Sequence, residues 1–191
     1  AQPRAAFENS HTLCQLDSWI ASIQPVNAHE NALPFVGGTR AAQRQLDYFL
    51  FGSHKIATYK ETRNQLDGWN FSSKLSPWLA LGCISAREVA HAITNYERDV
   101  AVNESTYWLY FELLWREYFQ WLAYRYGKRM FALHGIQNKN PQLGFSPEKW
   151  AAWRQGTTGC TFVDAFMRQL LHTGWMSNRG RQIVASYLIN E

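Results

Sequence analysis

The chain has 191 residues, a formal net charge of +4 at pH 7 and a pI near 9.0. This length is enough for one domain with a sizeable core. The positive charge favours an anionic partner. Aromatic residues make up 15% of it and include nine tryptophans, so several large rings are expected to line a cavity or a stacking surface. No apolar stretch is long enough to cross a bilayer, residues 1–10 do not resemble a signal peptide, and neither cysteines nor histidines have metal-ligand spacing, which argues against a transmembrane chain and a metal site.

The cysteines are odd in number and far apart, at Cys14, Cys83 and Cys160. This usage is typical of reduced thiols in an intracellular protein. We therefore expect a location inside the cell, cytoplasmic in a bacterium or in an organelle of a eukaryote, and no membrane partner.

Residues 1–36 are mixed and polar, with Pro25, Asn27, Asn31 and Pro34 as breakers. Such a composition predicts a connector between domains or a partly ordered tail. Residues 37–191 are predicted to form the folded domain. The chain starts without Met and stops inside a predicted helix, so both ends are expected to be cuts in a longer protein.

Caps and breakers predict helices in chain order through this domain. Ser76-Pro77 has the order of a cap followed by a first-turn proline, and Ser85 with Glu88 forms a capping-box pattern. Residues 59–73 are rich in breakers and are predicted to form a loop. The expected helices span about residues 39–51, 78–81, 85–96 and 105–126, another starts at residue 146, and two flank Gly174. Period-2 alternation is absent, so we predict an all-α domain with helices packed around a pocket.

The longest predicted helix carries rings and charges on one face: Trp108, Glu112, Trp115, Arg116 and Phe119. They follow one another at helical spacing. A stacking surface with a nearby acceptor and cation suits a nucleic-acid base or another flat heteroaromatic group. The alternative is a core stripe in which Glu112 and Arg116 form an ordinary salt bridge one turn apart.

A second candidate region precedes Pro77, where residues 72–76 offer three hydroxyls, the Lys74 ammonium and a helix N-terminus. Such a cluster can wrap a diphosphate without a glycine-rich loop. A hydroxyl-rich helix cap with no ligand is the alternative. Tyr59 and Arg63 lie in the preceding stretch, which either folds over the same ligand or remains at the surface.

The third candidate region follows Gly174, which can end a helix with a positive φ angle. Either Ser177 or Asn178 can cap the next helix, so that Arg179 and Arg181 crowd its first turn. Backbone N–H groups and guanidinium groups would then converge on a phosphate-bearing ligand. An ordinary helix corner with surface arginines is the alternative interpretation.

The sequence resembles the photolyase/cryptochrome family in the order and spacing of these regions. The matching blocks are residues 59–63 (YKETR), 72–80 (SSKLSPWLA), 112–118 (ELLWREY) and 153–187, the last including GTTG at 156–159, VDAFMRQ at 163–169 and TGWMSNR at 173–179. The likeness covers roughly residues 36–191. Within the family it is similar to the DASH cryptochromes, through Lys74–Trp78 and through Gln182 after Arg181.

The resemblance implies the amino-terminal part of a multi-helical domain that holds FAD in a U shape. It also implies blue-light-driven repair of cyclobutane pyrimidine dimers, preferentially in single-stranded DNA, by electron transfer to a flipped-out lesion. Flipping from an unpaired strand avoids much of the unstacking cost. A blue-light photoreceptor without repair activity is the alternative, and a light-independent nucleic-acid-binding module is a third class.

The resemblance also implies roles for individual residues. Glu112 would hydrogen-bond the pyrimidine edge, Trp115 would stack on the dimer, and Arg181 would face an acidic partner beside the flavin. FAD contacts would come from Tyr59, Ser72, Ser73, Lys74, Leu75, Ser76, Arg116, Asn178 and Arg181. DNA contacts would come from Arg63, Glu112, Trp115, Phe119, Asn178, Arg179 and Gln182.

Other parts of the family's machinery fall outside this sequence. Family members continue past the position of Glu191 and carry there an acidic pair near the flavin and the inner tryptophans of photoreduction. An amino-terminal antenna domain, with methenyltetrahydrofolate in this branch, is also outside it. We therefore expect a monomer that, as this chain alone, is inactive as a lyase and binds FAD weakly or not at all.

Overall fold

A computed structural model describes residues 35–141 and 144–191. The connector predicted for residues 1–36 lies almost entirely outside these ranges. Every regular element within them is helical and none is a strand. This confirms the prediction of an all-α domain.

The described ranges contain eight α-helices. They are α1 (Thr39–Asp47), α2 (Tyr59–Thr62), α3 (Ser76–Ala80), α4 (Ala86–Asp99), α5 (Glu104–Tyr126), α6 (Pro147–Gln155), α7 (Thr161–Thr173) and α8 (Asn178–Asn190). A π-helical turn, Tyr48–Gly52, continues α1, and 3₁₀ turns occupy Lys55–Thr58, Trp69–Phe71 and Gly127–Phe131.

Several helix starts agree with the caps read from the sequence. The Ser85 hydroxyl accepts from the backbone N–H of Glu88, whose carboxylate accepts from the Ser85 N–H in return. The start of α5 differs by one residue from the prediction, because Asn103 is its cap. The Asn103 side-chain oxygen accepts from the N–H groups of Ser105 and Thr106 at 2.9 and 3.0 Å.

The first hydrophobic core lies between α1, α4 and the first half of α5. Leu46, Phe49 and Leu50 are buried there. Val89 and Leu109 pack against them from α4 and α5. This core fixes α5, whose next turns carry the predicted ring and charge positions.

The loop predicted for residues 59–73 is wrong in part, since α2 and a 3₁₀ turn lie within it. Tertiary contacts hold α2 in place. Tyr59 is buried edge-on against Phe49. The Lys60 N–H donates to the Ser105 hydroxyl at 3.0 Å. The same hydroxyl donates to the Glu61 carboxylate. Helix α2 is thereby attached to the beginning of α5.

A second hydrophobic core joins α7 and α8, with α6 beside them. Val163, Phe166, Met176 and Val184 are buried in it. Gly180 lies where a Cβ atom would stand 2.7 Å from the Phe166 ring, so the absence of a side chain lets α8 approach α7 closely. The predicted stop of α7 is confirmed, as Gly174 follows the helix with a φ of 70°.

Among residues 35–141 and 144–191, no helix is both long enough and apolar enough to span a bilayer. The same residues contain no cluster of three or more His, Cys, Asp or Glu side chains arranged to hold a metal ion.

Candidate functional site

A cavity of about 160 Å³ lies where α2, α5, the segment of residues 71–74 and the turn before α8 meet. Six residues predicted from the sequence line it, from all three candidate regions. Its wall consists of Tyr59, Arg63, Gln65, Phe71, Ser72, Lys74, Glu112, Trp175, Ser177 and Asn178.

One side of the cavity is the stretch that contains Ser72 and Lys74. Ser72 has an extended backbone, whereas Lys74 has a positive φ of 57°, which is uncommon for a residue other than glycine. Gln45 of α1 donates its side-chain N–H to the Ser73 carbonyl at 3.0 Å, and Leu75 is buried in the first core. These two anchors on either side of Lys74 hold its irregular backbone in place.

Lys74 reaches across the cavity wall to Trp175. Its Nζ lies 3.8 Å from the centroid of that ring, and the residue is buried. Burial lowers the pKa of Lys74 from 10.5 to about 8, although the negative charge of Asp67 acts in the opposite direction. An aromatic face attracts an ammonium group without accepting its N–H donors in conventional hydrogen bonds, so this cation is suited to meet an anionic ligand.

Another part of the cavity wall contains an ion pair between Arg63, which directly follows α2, and Glu112 of α5. The two side chains are 25% and 32% exposed, so both are largely withdrawn from water. The Arg63 guanidinium also lies over the Trp108 ring, 5.3 Å from its centroid. The alternative pairing of Glu112 with Arg116 is wrong, because the Arg116 guanidinium turns away and donates to the Leu79 carbonyl at 3.2 Å.

Tyr59 stands beside this ion pair at the beginning of α2. Burial raises the pKa of Tyr59 to about 12, and the negative charge of Glu112 adds to that effect. The positive charge and hydrogen bond of Arg63 act the other way. The phenol is therefore neutral at physiological pH and can donate a hydrogen bond.

The third wall is the beginning of α8. Ser177 is its cap, since its hydroxyl accepts from the Gly180 N–H at 3.0 Å, and Asn178 is the first residue of the helix. A helix N-terminus that opens on a cavity favours an anion there. The site consequently combines a helix end, a buried lysine and hydroxyl groups on one side with a carboxylate and a guanidinium on the other.

A pair of stacked rings lies three and seven residues beyond Glu112 on α5. Trp115 and Phe119 have ring centroids 5.9 Å apart and an interplanar angle of 29°. They are 44% and 51% exposed, and neither lines the cavity. The ring surfaces that this stacking leaves uncovered are available to a flat group that approaches from outside.

Known proteins resemble this chain in sequence and in fold. Residues 108–191 match the family model described as the FAD binding domain of DNA photolyase. Over 167 residues, 87% of the chain, the sequence is 46% identical to a Cryptochrome DASH of Xenopus laevis. The structure is similar to the crystal structure of a Synechocystis cryptochrome, with a TM-score of 0.82 and 44% identity over 87% of this chain and 35% of that one.

The chain belongs to the photolyase/cryptochrome family. A bacterial class III photolyase from Agrobacterium tumefaciens is a more distant structural neighbour, with a TM-score of 0.70 and 30% identity over 91% of this chain and 36% of that one. The chain spans about a third of the length of these relatives, 32% for the Xenopus laevis protein.

Several of the FAD-contact and DNA-contact residues that the photolyase/cryptochrome resemblance implied do not line the cavity. Arg179 donates to Asn64 at 2.9 Å, and Arg181 donates to the Met176 carbonyl at 3.2 Å. The first contact joins α8 to the segment that follows α2, whereas the second lies between α8 and the turn directly before it. The predicted residues outside the cavity wall are Ser73, Leu75, Ser76, Trp115, Arg116, Phe119, Arg179, Arg181 and Gln182.

The cavity wall also includes residues that the sequence patterns did not predict. Gln65 and Phe71 come from the stretch predicted as a loop, and Trp175 comes from the turn after Gly174. For Trp175 the sequence did contain a signal, because a large aromatic residue directly follows the glycine that ends a helix. Gln45 supports the site from α1, and no local pattern in the sequence marks it.

Proposed function

We propose that the full-length protein containing this chain uses FAD and blue light to split cyclobutane pyrimidine dimers in single-stranded DNA. The observation that carries this proposal is one cavity with two unlike walls. Lys74 and the start of α8 suit an anionic cofactor, whereas Glu112 and Arg63 suit a nucleotide. Membership of the photolyase/cryptochrome family supports the same assignment.

The donors of the cavity fit the diphosphate and ribityl part of FAD. Ser72, Lys74 and the helix end at Asn178 would hold the phosphates, and the neutral Tyr59 phenol would donate to a ribityl or phosphate oxygen. The cavity of about 160 Å³ is smaller than the roughly 300–1,000 Å³ of most ligand pockets. We therefore assign only part of the cofactor's surroundings to this chain.

The chemistry that bound, reduced FAD would supply is a reversible one-electron donation to the dimer under blue light. Glu112 would accept a hydrogen bond from the pyrimidine edge and fix the lesion at the mouth of the cavity. Trp115 and Phe119, with their exposed faces, would stack against the flipped bases. Arg63 would contact the adjoining phosphodiester.

The remaining sequence predictions accompany this proposal. They are a monomeric state, an intracellular location and a methenyltetrahydrofolate antenna bound outside this chain. DNA is the expected partner, and its binding should weaken steeply as salt concentration rises, because phosphate contacts release counterions.

Illumination of a single-stranded oligonucleotide with one thymine dimer tests the proposal. Blue light should restore the absorbance of intact thymines with the full-length, flavin-loaded protein, and darkness should not. The Glu112→Gln variant should repair about tenfold more slowly or worse, whereas Glu117→Gln should repair normally. Glu117 lies on the same helix but is exposed and accepts from the Trp121 indole. Flavin reduction by light without any repair would favour the photoreceptor alternative instead.

A further inference from the structure

The ion pair of Arg63 and Glu112 has a consequence for ligand selection. We propose that the pair opens only for a ligand that offers a phosphodiester to Arg63 and a hydrogen-bond donor to Glu112 at the same time. The pair would then discriminate a flipped nucleotide from bare DNA backbone. This inference rests on the proposed function of the same site and names Arg63 as a specificity-determining residue within it.

The backbone on both sides of the pair is held firmly. Helix α2 is attached to α5 through the Lys60 and Ser105 contact, and the Arg63 N–H donates to the Tyr59 carbonyl at 2.9 Å. The Arg63 guanidinium lies between Glu112 and the half-buried Trp108 ring. Exchange of partners therefore needs only rotation of the Arg63 side chain, without movement of a helix.

Neighbouring cations are already directed elsewhere in the described part of the chain. Lys60 pairs with Glu104, Arg116 donates to the Leu79 carbonyl, and the Lys74 ammonium lies over Trp175. Compensation of the Glu112 charge falls to Arg63. A ligand that removes Arg63 leaves a carboxylate that is only 32% exposed, and such a group is unfavourable unless another donor satisfies it.

A phosphate alone and a base alone each meet only half of this requirement. The phosphate draws Arg63 away and leaves Glu112 without a partner, while the base finds the carboxylate already occupied. A nucleotide supplies both groups together, so that each charged side chain exchanges one strong hydrogen bond for another. Selectivity follows from this coupling and not from the strength of either contact.

Binding in the dark to two short single-stranded oligonucleotides tests the coupling. One carries a central abasic site and the other a central thymine dimer. In Glu112→Gln, the abasic oligonucleotide should bind about threefold to tenfold tighter than in the unmodified protein, because Arg63 no longer has a competing partner. The dimer oligonucleotide should bind about tenfold more weakly. Glu117→Gln corrects for the general effect of removing one negative charge.

The Arg63→Gln variant supplies an independent measurement. It should leave binding of the abasic oligonucleotide within about twofold and weaken the dimer oligonucleotide about tenfold or more. An ordinary phosphate contact would weaken both about equally. In the double variant, the tightening caused by Glu112→Gln should disappear.

Two results would overturn the inference. One is abasic binding by Glu112→Gln that is no tighter than by Glu117→Gln, and the other is an equal loss on both oligonucleotides in Arg63→Gln. Neither depends on light. Failure of repair under illumination, with the binding pattern as expected, would remove the proposed reaction and leave the pair's selectivity in place.

Discussion

Lys74 and Trp175 meet across the wall of the cavity, with the ammonium nitrogen 3.8 Å from the ring centroid. The contact joins the segment before α3 to the turn before α8. It places a buried cation against an apolar face, so the arrangement serves an anionic ligand better than it serves stability. Replacement of the lysine separates these two effects.

Lys74→Met should remove a pH dependence of stability. The pKa of Lys74 falls from 10.5 to about 8 in the folded protein, because burial disfavours the charged ammonium. Above pH 10.5 the lysine is neutral in both states and the fold has its full stability. This stability is lost as the pH falls through 8, because the buried amine must then take up a proton. The free energy of unfolding should therefore rise by about 1–3 kcal/mol from about pH 7 to about pH 9.5 in the unmodified protein, and should not rise in Lys74→Met. Urea titrations at the two pH values measure this change in the free energy of unfolding.

The exposed Lys55 provides the matched control for this substitution. Lys55→Met should keep the rise in stability with pH, since its ammonium remains in water in both states. A similar rise in Lys74→Met would mean that another group titrates in this window.

Tyr59→Phe should protect the fold against alkaline unfolding. The pKa of Tyr59 is raised to about 12, so its contribution to stability is complete below pH 10 and is lost as the pH rises through 12. Up to about 2–3 kcal/mol of stability disappears across this window in the unmodified protein, and the loss should be absent in Tyr59→Phe. Circular dichroism at increasing pH follows the transition. Tyr124, which is 84% exposed, gives the control variant Tyr124→Phe, which should unfold like the unmodified protein.

The predictable parts of this fold are those that local hydrogen bonds determine. The cap at Ser85 and the glycine stop after α7 depend on residues within one turn, and sequence spacing is sufficient to find them. Helix α2 was missed because it is four residues long and is held by Phe49 and Ser105, which are distant in sequence. A short helix without such contacts is unstable in water.

The partner of Glu112 shows the same limit within the site. Helical spacing offered Arg116, one turn away, whereas the structure selects Arg63, 49 residues earlier in the chain. Which cation pairs with a carboxylate depends on how α2 packs on α5, and that packing has no local signature. The chemistry of the three candidate regions indicates that they can share a ligand, but the pairing inside the cavity depends on tertiary packing.

Gly180→Ala should destabilise the domain, although alanine normally favours a helix. A Cβ atom at this position would lie 2.7 Å from the Phe166 ring and 2.9 Å from Met176, so α8 would have to move away from α7. A loss of about 1–3 kcal/mol is expected from such overpacking, measured by thermal or urea unfolding. Gly37→Ala is the control, because a Cβ atom there meets no other atom within 4 Å and should leave stability unchanged or slightly higher. Equal effects of the two substitutions would contradict the close approach of α8 to α7.

Gln45→Met tests whether α1 positions the phosphate side of the cavity. Gln45 is buried and donates to the Ser73 carbonyl at 3.0 Å, next to the positive-φ residue Lys74. Methionine has a similar length but no donor, so the substitution should cost about 1 kcal/mol of stability and reduce FAD affinity of the full-length protein about fivefold, because the Ser72 and Lys74 donors lose their fixed geometry.

Gln43 allows the same substitution on the exposed side of α1, where its side chain donates to Asp47 at 3.0 Å. Gln43→Met should bind FAD with unchanged affinity in a flavin fluorescence titration, since this hydrogen bond lies away from the cavity and in water. Equal affinities of the two variants would show that the cavity keeps its geometry without Gln45. A selective loss in Gln45→Met, with both proteins folded by circular dichroism, would make α1 part of the machinery that holds the cofactor, although none of its residues lines the cavity.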